Sequence, residues 1–155
     1  MSRMKKIGLG VLIVLTGIQF IKPARNENGQ ASPSDISTTI STPSNVQLIL
    51  QTACYDCHSN HTNYPWYTYV QPIGWMLNNH IKDGKKELNF SEFGSYSRRR
   101  QLSKLKSIAS QVKDDEMPLA SYTMLHKNAR LTKEQKALII DWAQNAKDNL
   151  EQIKP

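Results

Sequence analysis

Cys54-Tyr55-Asp56-Cys57-His58 holds the only two cysteines of the 155-residue chain, spaced as C-x-x-C-H. Two thiols three positions apart lie on one helical turn, where each can add to a vinyl group of a single porphyrin. The histidine beside the second thiol is then held beneath the ring with its imidazole facing the iron. A cofactor tethered in this way needs no deep pocket, so a small domain is enough to carry it. The five residues are therefore read as the attachment site of one haem c, bound covalently through Cys54 and Cys57, with His58 as proximal iron ligand. Three other readings compete with this one. A dithiol redox pair normally sits within a βαβ pattern, and none is visible here. Zinc requires four ligands, and beside the single C-x-x-C only His58, His61, His80 and His126 are on offer. A structural disulfide would have no use for His58.

The N-terminus points the same way. Arg3, Lys5 and Lys6 precede an uncharged, mostly apolar run from Ile7 to Ile21, closed by Lys22 and Pro23. This is the layout of an export signal, and covalent haem attachment also belongs outside the bacterial cytoplasm. No A-x-A-like cleavage site follows, so residues 1–22 are read as an uncleaved signal anchor, a transmembrane helix. The basic N-terminus then stays in the cytoplasm and the rest of the chain lies on the periplasmic side of the cytoplasmic membrane. Were the segment cleaved, the product would be a soluble periplasmic protein. A run of 15 residues is short for a span, which usually needs about 20.

Residues 23–44 are rich in Pro, Ser, Thr, Asn and Gly, with Ile36 and Ile40 as the only large aliphatic side chains. Such a stretch buries too little surface to offset its chain entropy, so a flexible linker is expected. Residues 45–153 have the length of one small domain. The formal charge of +7 divides unevenly: residues 1–22 carry four of the 20 basic groups and none of the 13 acidic ones. The remainder is only mildly basic, and nothing suggests nucleic acid as a partner. Arg98-Arg99-Arg100 is the one dense cluster and reads as a solvated helix face, with docking to an acidic redox partner as the sharper alternative.

The domain reads as all-α. Asn45 is placed to cap a helix through Val46, Leu48, Ile49 and Leu50 that would deliver Cys54 and Cys57 near its C-terminal end. Pro72 starts a second helix with Ile73, Trp75, Met76, Leu77 and Ile81, ending near Gly84. Leu88–Gly94 reads as loop. A third helix begins around Ser97, with Leu102, Leu105, Ile108 and Val112 on its apolar face. Thr132-Lys133-Glu134-Gln135 fits a capping box, followed by Ile139, Trp142, Ala143, Ala146, Leu150 and Ile153 at helical spacing.

The sixth position of the iron decides what such a site can do. Met117 is the leading candidate, in a loop before Pro118 and between two helices, where proline stiffens the backbone next to the thioether. Met124 is its rival in the same region, while His80 and His126 are alternatives. His61 is too close to His58 to cross the ring, and Met76 reads as a core residue. Tyr64, Trp66, Tyr67, Trp75 and Trp142 are candidates to pack around a porphyrin or simply to fill the core.

Several segments together resemble the bacterial haem-binding domain family related to class I monohaem cytochromes c. They are Cys-Tyr-Asp-Cys-His-Ser-Asn at 54–60, Tyr-Pro-Trp-Tyr at 64–67, Leu-Asn-Phe-Ser-Glu-Phe at 88–93, Glu-Met-Pro-Leu at 116–119, Ser-Tyr-Thr at 121–123, and the last helix from Leu131 to Ala143. The resemblance implies a cytochrome c-like domain wrapped around one covalent haem on Cys54 and Cys57, with His58 proximal and Met117 distal. The expected function is single-electron transfer between periplasmic or membrane-bound redox proteins. A peroxidase-like enzyme or a gas or redox sensor would require an exchangeable distal ligand, and no output domain is appended.

Overall fold

The computed structural model describes residues 2–29 and 32–152. Gln30 and Ala31 of the expected linker and Ile153 of the last helical pattern lie outside the described residues. The element order is α1 (Arg3–Ile18), α2 (Ile36–Thr39), α3 (Ser44–Ala53), α4 (Tyr55–His58), a 3-10 turn at Trp66–Tyr69, α5 (Ile73–Glu87), a second 3-10 turn at Phe90–Ser95, α6 (Arg98–Lys113), α7 (Ala120–Leu125), a short 3-10 turn at Lys127–Ala129 and α8 (Lys133–Gln152). Among the described residues there is no strand, only an isolated antiparallel bridge between Glu27 and His61. The all-α expectation holds.

Local signals account for most helix ends. Ser97 caps α6, its Oγ accepting from the Arg100 amide at 3.4 Å. The capping box closes as the sequence suggests: the Thr132 amide donates to Gln135 Oε1 at 2.9 Å and the Gln135 amide donates back to Thr132 Oγ1 at 3.2 Å. α5 runs through Gly84 to Glu87, one turn past the expected end.

α6 and α3 both pack against α8. Their apolar faces meet in a core of Val46, Leu50, Leu105, Ile108, Val112, Ile139, Trp142 and Ala143. Phe90 and Phe93 complete it, both essentially buried, from the stretch expected to be loop. The 3-10 turn there puts both rings on one side, three positions apart at the 3-10 period. Each contributes roughly 1.5–3 kcal/mol of hydrophobic stabilisation, so this is core rather than connection.

Two expectations need correction. The segment 23–44 is not a free linker: Ile36 is 0% exposed, and Asp35 caps α2 through the Ser37 amide at 2.9 Å. One buried isoleucine and a capped turn offset the cost of ordering an otherwise polar stretch. The apolar N-terminal run also forms a shorter helix than expected. α1 has 16 residues, and no described helix is long and apolar enough to cross a membrane. Where the helix ends, the Gln19 side chain is bonded to Gln71 of the folded domain. Its amide donates to Gln71 O at 3.2 Å and its Oε1 accepts from the Gln71 amide at 2.9 Å.

The basic cluster at the start of α6 is partly structural. Arg98 donates to the Leu150 carbonyl, and the Arg100 guanidinium lies 3.8 Å from the centre of the Tyr96 ring. Arg99 is exposed.

Candidate functional site

α3 delivers Cys54 at its C-terminal cap, and α4 carries Cys57 and His58 on the next turn. The amides of Cys57 and His58 both donate to the Cys54 carbonyl, at 3.2 and 3.0 Å. This single turn brings the two free, half-buried thiols and the imidazole together.

The imidazole is fixed from behind. His58 Nδ1 lies 2.9 Å from the Leu88 carbonyl. A carbonyl only accepts, so Nδ1 carries the proton and Nε2 keeps its lone pair. That arrangement sets the tautomer of a metal-binding histidine and orients its ring. Burial lowers the His58 pKa below its ordinary 6.5, opposed by the backbone contacts to Leu88 and Gly84. The ring is therefore neutral at pH 7. Phe90 lies tilted 6.0 Å from it and stacks at 5.0 Å on Tyr55. Behind α4, α5 approaches so closely that a Cβ at Gly84 would meet the Cys57 carbonyl oxygen at 2.8 Å. A glycine there lets α5 support the histidine turn.

The thiols are the weakly acidic members of the site. Burial pushes Cys54 up to about 12, with Cys57 adding to the effect, and pushes Cys57 up to about 11, with Asp56 adding. Both are neutral at pH 7 in the folded chain.

Asp56, between the cysteines, organises the neighbouring loops. Its Oδ1 accepts from the Asn63 amide at 3.0 Å, and its Oδ2 accepts from the Tyr122 hydroxyl at 2.7 Å. Tyr122 stacks on His126 with ring centres 4.0 Å apart. The Tyr122 hydroxyl pKa is raised, by burial first and then by Asp56. His126 Nδ1 lies 3.1 Å from the Tyr122 carbonyl, and Nε2 lies 3.0 Å from the Tyr67 hydroxyl. Nδ1 thus donates and Tyr67 donates to Nε2. Both ring nitrogens are engaged, so His126 is a bridge between loops rather than a free ligand. Asn26 closes the other side, donating to Ser59 O and Thr62 Oγ1, both at 2.9 Å, and accepting from Lys85 Nζ at 2.7 Å. The supposed linker therefore helps hold the histidine turn.

Met117 lies in the bend between α6 and α7, half-buried, its amide donating to Gln111 O at 3.2 Å. The helix that follows it is tied to the motif through Tyr122 and Asp56. Met124 is 65% exposed and Met76 53%, so Met76 is not the core residue expected. His80 is half-buried on α5. The aromatics divide. Trp142 is core, with its indole donating to Ser41 O at 3.2 Å. Trp75 donates to Ile21 O at 2.8 Å, and Trp66 is 78% exposed. Only Tyr64 and Tyr67 reach towards the motif's surroundings.

Sequence reasoning missed Asp56, Leu88, Gly84, Asn26 and Tyr122 as parts of this site. Leu88 acts through a backbone carbonyl, which no side-chain pattern reveals. Tyr122 did carry a signal, lying within the Ser-Tyr-Thr segment that contributes to the family resemblance.

Free paired thiols beside a neutral, oriented imidazole are a donor set that suits haem. The comparison with protein families agrees: residues 13–145 match the haem-binding domain model. The chain belongs to the haem-binding domain family. No curated protein matches it, and no solved structure does. The family match covers α3 to α7 and most of α8, so the whole cluster described above falls inside this haem-binding domain.

Proposed function

We propose that this haem-binding domain is a membrane-tethered monohaem c-type cytochrome that passes single electrons between periplasmic redox partners. The observation that carries the reading is the hydrogen bond from His58 Nδ1 to Leu88 O, made on the same turn that holds two free thiols. Covalent attachment would use Cys54 and Cys57. The two S–H groups would each add across one vinyl C=C of the haem, with the thiol hydrogen going to the neighbouring carbon, so the attachment would need no oxidant. Once bound, haem supplies an iron centre that exchanges one electron at a time.

The chain's own residues do the rest. His58 presents Nε2, and the Leu88 carbonyl keeps that lone pair aimed. Met117 would hold the iron through its thioether, which would favour the ferrous form relative to a second histidine and leave no open position for a substrate. Asp56 and Tyr122 hold the segment after Met117 against the cysteine turn. Gly84 and Phe90 back the histidine and keep water from it. The likeness to class I cytochromes c supports this ligand pair, as does the engagement of both His126 nitrogens. The basic residues Arg3, Lys5 and Lys6 ahead of the apolar run from Ile7 to Ile21, the layout of an export signal, support a tether in the cytoplasmic membrane of a bacterium, with the domain on the periplasmic side.

The test is expression of the full chain with a c-type maturation system, followed by ferric and ferrous absorption spectra. Covalently retained, low-spin haem with a weak sulfur-ligation band in the ferric state, lost in Met117→Ala, is the expected result. High-spin ferric iron with peroxide turnover would replace the carrier with an enzyme. Absence of covalent haem would remove the cytochrome reading altogether.

A further inference from the structure

The end of α1 is clamped to the domain at a defined place. Gln19 makes a reciprocal pair of hydrogen bonds with the backbone of Gln71, a residue 4% exposed. Two residues on, the Ile21 carbonyl accepts from the Trp75 indole at 2.8 Å. Gln71 Oε1 in turn accepts from the Trp75 amide at 3.0 Å, so both clamps rest on the start of α5. The chain that follows stays on the same edge: the Arg25 guanidinium lies 3.9 Å from the centre of the Tyr69 ring and 4.5 Å from that of Tyr64. α1 and the domain therefore have no free length of linker between them.

The surface around this clamp is apolar where a water-facing surface would be polar. Trp66 is 78% exposed, Tyr69 58%, Val70 45%, Ile73 37% and Met76 53%. Phe20 and Ile21, at the mouth of α1, are 82% and 61% exposed. Lys22 and Arg25 sit among them, with Glu27 paired to Arg25 at 3.4 Å as the nearby acid. Exposed Trp and Tyr beside Lys and Arg, continuous with an apolar helix, is the make-up of a membrane–water boundary.

The length of α1 supports the same occupant. Sixteen residues of helix reach about 24 Å, short of a hydrocarbon core of about 30 Å. A bilayer meeting this helix would leave apolar depth unfilled at its domain end, where Phe20, Ile21, Trp66 and Ile73 stand.

With the tether proposed above as its premise, we propose that the domain is seated on the bilayer, its Trp66–Ile73 edge sunk into the headgroup region of anionic lipid. The seat gives the haem turn one orientation relative to the membrane, so redox partners are met from the side rather than reached by a swinging arm. α5 transmits that orientation, since its N-terminal end carries the clamp and Gly84 near its other end backs Cys57.

The test is hydroxyl-radical footprinting of the full holo chain in phosphatidylcholine–phosphatidylglycerol vesicles at limiting protein-to-lipid ratio, after flotation. Oxidation at Trp66 and Tyr69, normalised to each residue's intrinsic reactivity, is expected to be at least about 5-fold below that at Leu48 and Leu138, because boundary residues are removed from water. Gln19→Ala breaks both bonds to Gln71 but leaves the apolar helix, so the chain should still float while Trp66 regains reactivity. A floating chain whose Trp66 is oxidised as fast as Leu48 would overturn the seat and leave the tether standing. A chain that does not float would overturn both. Protection that persists in Gln19→Ala would overturn the clamp as its cause.

Discussion

The Tyr122 hydroxyl donates to Asp56 Oδ2 at 2.7 Å, joining the helix after Met117 to the turn that carries Cys54, Cys57 and His58. One short bond thus links the two halves of the proposed iron site, which lie far apart in sequence. Removing it should loosen the sixth ligand without touching either thiol.

Tyr122→Phe is expected to cost about 1–2 kcal/mol of stability, as for a partly buried hydrogen bond to a charged acceptor. Urea denaturation of the holo chain measures this. The same variant should bind carbon monoxide in the ferrous state more readily than the parent. Unchanged stability together with unchanged ligand access would show that the bond does not hold the Met117 segment in place.

Gly84→Ala separates two opposing effects. In an isolated helix, alanine is favoured over glycine by about 1 kcal/mol. Here its Cβ would meet the Cys57 carbonyl oxygen, a backbone atom, at 2.8 Å. The helices must part, so the sign is expected to reverse, with a net loss of about 1–3 kcal/mol typical of overpacking. A thermal melt reads the sign directly, and a rise in melting temperature would contradict the close approach.

The haem-free chain should have a stability plateau bounded on both sides. Burial holds His58 below 6.5, so as pH falls below 6.5 the unfolded chain takes up the proton first and stability drops. Burial holds Cys54 and Cys57 up at about 12 and about 11 against an ordinary 9.0. As pH rises past 9.0 the unfolded chain loses thiol protons first, and the stability present below that point is lost towards 12. Urea midpoints across this range measure both arms. The alkaline arm should shrink in Cys54→Ser/Cys57→Ser and in the thioether-linked holo chain. An alkaline arm of undiminished size in the double variant would assign it to other groups.

Phe93→Ala tests whether the 88–94 stretch is core. Phe93 is 0% exposed and packs in the central cluster. The expected loss is about 3–5 kcal/mol, the usual cost of emptying a phenylalanine site. A loss under about 1 kcal/mol, by chemical denaturation, would return the segment to the status of a surface loop.

Helix placement was largely legible because its signals are local. Ser97, Pro72 and the Thr132/Gln135 box act on backbone groups within one turn, and the apolar spacing of α6 and α8 follows from helix geometry. The same locality explains the failures. Phe90 and Phe93 have no helical or strand period around them, so nothing nearby says that their turn is buried. Segment 23–44 reads as polar because its buried apolar side chain, Ile36, and its polar anchor, Asn26, both meet partners supplied by other parts of the chain. The N-terminal apolar run looks continuous to Ile21, but the helix ends at Ile18, and Gln19 bonds to a residue 52 positions away that no local pattern could point to.

By itself the sequence determined the cysteine–histidine turn, the helical class and the candidacy of Met117, because spacing along one turn or one helix face is a property of neighbouring residues. Only the tertiary structure decided which groups serve that turn. The Leu88 carbonyl that sets the His58 tautomer, the Gly84 face that admits α5, and the Asp56–Tyr122 bond are all contacts across long sequence separations. A backbone carbonyl or a close approach leaves no periodic mark in a sequence, and it acquires meaning only when packing brings its partner within hydrogen-bonding distance.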